Sequence, residues 1–150
     1  MYKKILVPLD GSEFAGDSLE HVKTIATGCQ VPEIILLAVM EPVPQAGVIG
    51  NYLGSDWQVD REKWLINWLE TYLNKAADRL TGAGLSVQTA IVQGNAANEI
   101  LEYAVQHEID LIIMTTHGKS GVVRWALGSV ADRVMRHSVV PVLLIRPDVK

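Results

Sequence analysis

The sequence contains one cysteine, Cys29, and one phenylalanine in 150 residues. A lone cysteine excludes an internal disulfide and points to a reducing compartment, the cytoplasm. It falls on the apolar face of an expected helix, where a thiol serves as a small core residue. No apolar run approaches the ~20 residues of a membrane-spanning helix. Met1 to Ile5 lead into a strand-like run without the apolar stretch and small-residue cleavage site of a signal segment. Basic charge is also scarce: 13 Lys and Arg stand against 17 Asp and Glu, a formal charge of −4. A nucleic-acid surface gathers cations on a basic domain. The nearest approach here, Arg133, Arg136 and His137, closes an expected helix, where cations complement the helix dipole. The four histidines, His21, His107, His117 and His137, never stand one helical turn apart as a zinc pair would. Nucleic acid, membrane and metal are therefore not expected partners.

What is present is a regular α/β alternation. Hydrophobic residues make up 49% of the chain, enough for a substantial core in one domain spanning 1–150. Five short apolar runs stand out: Ile5 to Val7, Ile34 to Met40, Val87 to Val92, Leu111 to Met114 and Val142 to Ile145. Runs two, four and five are nearly continuous, as in parallel strands covered on both faces. The third alternates partly and reads as an edge strand. Between the runs, apolar residues recur at helical spacing. Leu19, Val22, Ile25 and Cys29 follow Ser12, an expected N-cap. Leu65, Leu69, Tyr72, Ala76 and Leu80 form a stripe over 60–81, ended by Gly82 and Gly84. Trp64 and Trp68 lie one turn apart on that helix and are read as packing residues. Ile100, Leu101, Ala104 and Val105 follow Asn95, and a last helix begins near Ser129 and ends by Ser138. Right-handed crossovers turn this order into an open five-stranded parallel sheet with helices on both faces. Residues 41–59, with two prolines and three glycines, read as a long loop leaving strand two: a lid, a passive insertion or a hydrophobic surface for a partner subunit.

In such sheets ligands bind beyond the carboxyl ends of the strands. The segments that arrive there include Pro8-Leu9-Asp10-Gly11-Ser12, Val39-Met40, Gln93-Gly94-Asn95 and the stretch from Thr115 to Ser129. The last holds Gly118, Gly121 and Gly128, the cations Lys119 and Arg124, and a hydroxyl at a helix start, a pattern suited to phosphate. Gly118-Lys119-Ser120 is not the end of a Walker A loop, because Ile113 stands where that loop needs glycine. No G-x-G-x-x-G follows any expected strand, and no catalytic Ser-His-Asp set is suggested.

From Tyr2-Lys3-Lys4-Ile5-Leu6-Val7-Pro8-Leu9-Asp10-Gly11-Ser12 to Pro141-Val142-Leu143-Leu144-Ile145, the chain resembles the universal stress protein family. Its ATP-binding members carry a glycine, two residues, a second glycine, nine residues and then Gly-Ser or Gly-Thr. Here Gly118 takes the second position and Gly128-Ser129 close the motif, followed by Val130-Ala131-Asp132-Arg133-Val134. Thr115 replaces the first glycine. The resemblance implies an adenine nucleotide alpha hydrolase-like sheet of order 3-2-1-4-5 and a homodimer through the last strand, Val142 to Ile145. It implies ATP, with or without Mg²⁺, as ligand: Pro8, Leu9 and Asp10 at the adenine and ribose side, Val39 against the base, Met114 and Thr115 at the floor. Gly118, Gly128, Ser129 and Val130 would hold ribose and phosphates. Apart from the resemblance, Arg124 is a candidate charge clamp, and His117, which follows strand four at the site edge, is either a phosphate contact or an ordinary exposed or hydrogen-bonded loop histidine. Three functions remain open: an ATP-binding stress-response module acting on an unknown regulatory partner, a nucleotide-free dimeric scaffold, and a slow ATPase.

Overall fold

Strands β1 (Lys4–Pro8), β2 (Glu33–Met40), β3 (Val87–Gln93), β4 (Leu111–Thr115) and β5 (Val142–Ile145) coincide with the five apolar runs to within one residue at each end. They alternate with helices α1 (Ala15–Gly28), α2 (Gly47–Thr81), α3 (Ala96–Gln106) and α4 (Ser129–His137). In this computed structural model the described residues are 1–12, 15–42, 47–116 and 127–147, and the side chains of 15, 47–55 and 57 lie outside the description. All strand pairs are parallel, in the order β3-β2-β1-β4-β5. β3 is an edge, as its alternation predicts.

The near-continuous apolar runs exist because each central strand buries both faces. Ile5, Val7, Ile34, Leu36, Ala38, Leu111 and Ile113 point to one side, where they meet Leu19, Val22 and Ala26 of α1 and Leu69, Leu73 and Leu80 of α2. Leu6, Ile35, Leu37, Ile112 and Met114 point to the other, against Ile100 and Ala104 of α3 and Val134 of α4. The chain winds outward from β1 to β3, then returns to β4 on the far side of β1. The strand order thus reverses between β1 and β4.

Local signals set most helix ends. Asn95 caps α3, its side chain accepting from the Asn98 N–H at 3.2 Å. Past α2, Gly84 takes φ +83° and the Leu85 N–H returns to the Leu80 carbonyl, a turn that glycine makes without strain. Other expectations need correction. The loop read over 41–59 is helix from Gly47 onward, so α2 begins 13 residues before residue 60. Gly47, Gly50 and Gly54 each weaken a helix by only about 1 kcal/mol, and extending an established helix is far easier than nucleating one. Residues 43–46 lie outside the described residues. Ser12 does not cap α1, which starts at Ala15; its N–H instead donates to Asp10 Oδ1 at 2.9 Å, in a turn that the Asp10 side chain closes. Cys29 follows the end of α1 and packs, half-buried, on the core. Val105 is 62% exposed and does not join the buried stripe of α3. Trp64 is 64% exposed, so packing does not account for it, whereas Trp68 stacks on Tyr72 with ring centroids 5.8 Å apart.

No helix among the described residues is long and apolar enough to cross a membrane. At the amino edge of the sheet, Asp110 accepts the N–H groups of Lys3 and Lys4 at 2.7 and 2.9 Å and so ties the start of β1 to β4. These two donors hold its carboxyl below the ordinary value of 3.8. A lowered folded-state value stabilises the fold above the unfolded value and stops doing so as pH falls through the folded one. Asp110→Ala is therefore expected to lower stability at pH 6, with the gap to wild type closing in acid as pH drops below about 4. Urea midpoints across pH 2.5–7 check this.

Candidate functional site

A cavity of about 460 Å³ opens where the strand order reverses, at the carboxyl edge of the sheet. Its position follows from the ladder. β1 stays paired to β2 as far as Pro8↔Leu37, whereas its register with β4 covers only Ile5↔Leu111 and Leu6↔Ile112. The cavity lies past these pairs, beyond the carboxyl ends of the strands. Pro8, Leu9 and Asp10 come from the end of β1, Val39, Met40 and Glu41 from β2, and Met114, Thr115 and Thr116 from β4. Gly128, Ser129, Val130 and Ala131 from the start of α4 form the facing wall. Leu65 and Leu69 of α2, with Ala96 and Ile100 of α3, close the sides.

The burial pattern of β2 marks the same place. Ile34 to Ala38 and Met40 are all buried, and only Val39 in that run is partly open. The cavity exposes it.

The two ends of the cavity differ in charge. Asp10 and Glu41 bring carboxylates to the β1–β2 side. Glu41 is held there by accepting the Ala96 N–H, at the start of α3, at 3.2 Å. Asp10 is set by the turn in which it accepts the Ser12 N–H. Tyr72 of α2 braces this turn, donating its hydroxyl proton to the Ser12 carbonyl at 3.1 Å. Burial, and then the Asp10 charge, push the Tyr72 hydroxyl up to about 12, so at neutral pH it remains a donor. Ser12 Oγ, shielded from solvent, has no hydrogen-bond partner among the described residues.

The opposite wall is a helix start. Gly128 precedes α4, and among the described residues no side chain caps it. Gly128 O accepts from the Asp132 N–H at 2.8 Å as the first helical bond, which leaves the amides of Ser129, Val130 and Ala131 without an intrahelical acceptor. An uncapped helix start offers N–H donors and a positive dipole end to an anion. Thr116 organises the loop base: its N–H donates to the Ile145 carbonyl and its carbonyl accepts the Gly128 N–H, both at 2.8 Å. The chain leaves β4 and re-enters α4 through adjacent points at the cavity wall. A ligand suited to this space has an uncharged apolar ring near Val39 and Met114, hydrogen-bonding hydroxyl or amino groups near the carboxylates, and negative charge toward α4.

The structure thus brings Pro8, Leu9, Asp10, Val39, Met114, Thr115, Gly128, Ser129 and Val130 around one cavity. His117, Gly118 and Arg124 lie outside the described residues, as do Lys119 and Gly121. Thr116 lies in the stretch expected at this edge, whereas sequence reasoning missed Glu41 and the α2 pair Leu65 and Leu69. Glu41 had a legible signal, a carboxylate directly after a strand at the ligand edge. The α2 residues had none, because their stripe looks the same whether it covers a sheet or a cavity. Among the described residues no group of three or more His, Cys, Asp or Glu side chains is placed to hold a metal ion.

Comparison with known proteins adds a lineage to this geometry. The model of the universal stress protein family matches residues 1–146. Universal stress protein MJ0531 of Methanocaldococcus jannaschii is 33% identical over 146 residues, covering 97% of this chain and 83% of that protein. Universal stress protein YxiE of Bacillus subtilis is 30% identical over 152 residues, covering 97% and 100%. Among solved structures, hypothetical protein MJ0577, a test case for structure-based assignment of biochemical function, superposes with a TM-score of 0.84 at 32% identity, covering 100% of this chain and 99% of that one. A universal stress protein in complex with cAMP shares the fold, with a TM-score of 0.68 at 23% identity over 96% of each chain.

Proposed function

The chain belongs to the universal stress protein family, and on that premise we propose that its cavity is an ATP site and the protein a nucleotide-binding regulatory module. The observation that carries the reading is the polarity of the cavity: an apolar floor, carboxylates at one end and an uncapped helix start at the other. Adenine rests against Val39 and Met114, the ribose hydroxyls turn to Asp10, and the phosphates meet the amides of Ser129 and Val130. Pro8 and Leu9 border the sugar and base. Thr115, partly exposed in the cavity, offers a hydroxyl where the family motif has its first glycine. Gly118, His117 and Arg124 complete the phosphate side, with or without Mg²⁺. The protein acts in the cytoplasm as a homodimer through β5, where Val139 is 80% exposed and Val142, Leu143 and Leu144 are partly open. Its output is a contact with a regulatory partner. Rapid turnover is not part of the proposal.

A specific observation favours one other reading, a nucleotide-free dimeric scaffold: Thr115 is β-branched and narrows the place where the motif has a glycine. Denaturing freshly purified protein and identifying released small molecules by chromatography separates the two. Adenine nucleotide close to one per chain supports the ATP site. Protein that releases none, and takes none up on incubation with ATP, leaves the scaffold reading.

A further inference from the structure

A second cavity, of about 450 Å³, runs along the outer edge of the sheet between α2 and β3. Five consecutive strand residues, Thr89 to Gln93, line it. Consecutive side chains point to opposite faces of a sheet, so a groove that touches all five follows the strand's backbone edge. The ladder shows which backbone groups face it. Ser86 O accepts from Ile34 N–H, and Gly94 N–H donates to Met40 O. In a parallel pair, a residue's N–H and C=O face the same neighbour and the direction alternates. Even-numbered residues of β3 therefore face β2, and Val87, Thr89, Ile91 and Gln93 direct their N–H and C=O groups outward. At this edge of the sheet no further strand pairs with them among the described residues.

Natural sheets blunt such edges with charge, proline or very short strands. The opposite edge strand, β5, is four residues long, whereas β3 has seven, VQTAIVQ, with neither charge nor proline. The groove beside it has an apolar floor, Ile66 and Leu73 of α2 with Ile91, and carries Glu62 and Glu70 on the helix side. Neither carboxylate has an ion-pair partner among the described residues. They lie ~12 Å apart along the helix at its ordinary rise. An extended chain places same-face residues four apart at ~13 Å.

We propose that this edge docks an extended segment of a partner protein as a sixth strand, with lysine or arginine at positions four apart meeting Glu62 and Glu70. Main-chain bonds to Thr89, Ile91 and Gln93 supply register, the apolar floor takes side chains between the cations, and the carboxylates select charge. The proposal is independent of the nucleotide reading, and its test uses no nucleotide.

The probes are two capped heptapeptides, one with lysine at positions two and six and valine at position four, the other with glutamate in place of both lysines, and threonine elsewhere in each, titrated into the isotope-labelled full chain. The lysine peptide is expected to protect the amides of Thr89, Ile91 and Gln93 from hydrogen exchange and to leave those of Gln88, Ala90 and Val92 unchanged. The glutamate peptide is expected to bind about tenfold more weakly, and the double variant Glu62→Lys, Glu70→Lys to reverse the preference. Thr89→Pro removes an outward N–H without breaking a bond to β2, so it should fold, keep its inner ladder and lose the peptide. If Thr89→Pro does not fold, the charge-reversed variant decides. Equal binding of the two peptides, or protection away from β3, overturns the proposal. So does a homodimer that Thr89→Pro dissociates, because the edge would then be occupied by a second copy.

Discussion

Val39→Trp is expected to weaken ATP binding about a hundredfold, or ~2.7 kcal/mol, while the protein stays folded. Val39 is the residue of β2 that the cavity leaves partly open between the buried Ala38 and Met40. A tryptophan there projects into the 460 Å³ space the base would occupy. Pockets that hold drug-sized ligands begin near ~300 Å³, so losing a large part of the volume removes the shape match. The added bulk faces an opening, and the overpacking penalty of about 1–3 kcal/mol falls within the ~5–15 kcal/mol stability of a domain. Calorimetry with ATP on both proteins, beside circular dichroism melts, separates lost binding from lost folding. Unchanged affinity would mean that no base lies over Val39.

The second large effect concerns the frame that holds the cavity. Leu36→Ala is expected to destabilise the fold by about 3 kcal/mol and to lower the melting temperature by about 10 °C. Leu36 is 0% exposed, lies in the middle of β2, and packs in the cluster formed with α1 and α2. The rigid β strands on both sides keep its neighbours from closing the void, so the cost includes the cavity as well as the lost transfer energy. Urea unfolding with an unchanged slope would identify the loss as one of packing. A loss under about 1 kcal/mol would mean that the site relaxes far more than a central strand allows.

Much of the fold was legible because its signals are strong and local. Ile34 to Ala38 is buried on both faces, and an unbroken apolar run records that directly. Asn95 and Gly84 punctuate helices by mechanisms that depend only on neighbouring backbone. The sheet's ligand edge follows from topology, so the sequence alone places Asp10, Val39, Thr115 and Gly128 together, and all four line one cavity. Other features depend on contacts far apart in sequence. Helix α2 extends through Gly50 and Gly54 because it grows from a well-packed second half, which local glycine content does not reveal. Ser12 has the composition of an N-cap, yet Asp10 captures its N–H and Tyr72, 60 residues on, holds its carbonyl. Glu41 gains its place from the start of α3, 55 residues away. Leu65 and Leu69 become cavity walls only through the way α2 lies across the edge of the sheet.

The most direct measurement is a calorimetric titration of nucleotide-free protein with ATP, with and without magnesium, repeated with Val39→Trp. The predicted result is saturable binding of one nucleotide per chain, with Kd on the order of micromolar, and its loss in the variant. Heats indistinguishable from dilution up to millimolar ATP, or a variant that titrates like wild type, would contradict an ATP site in this cavity.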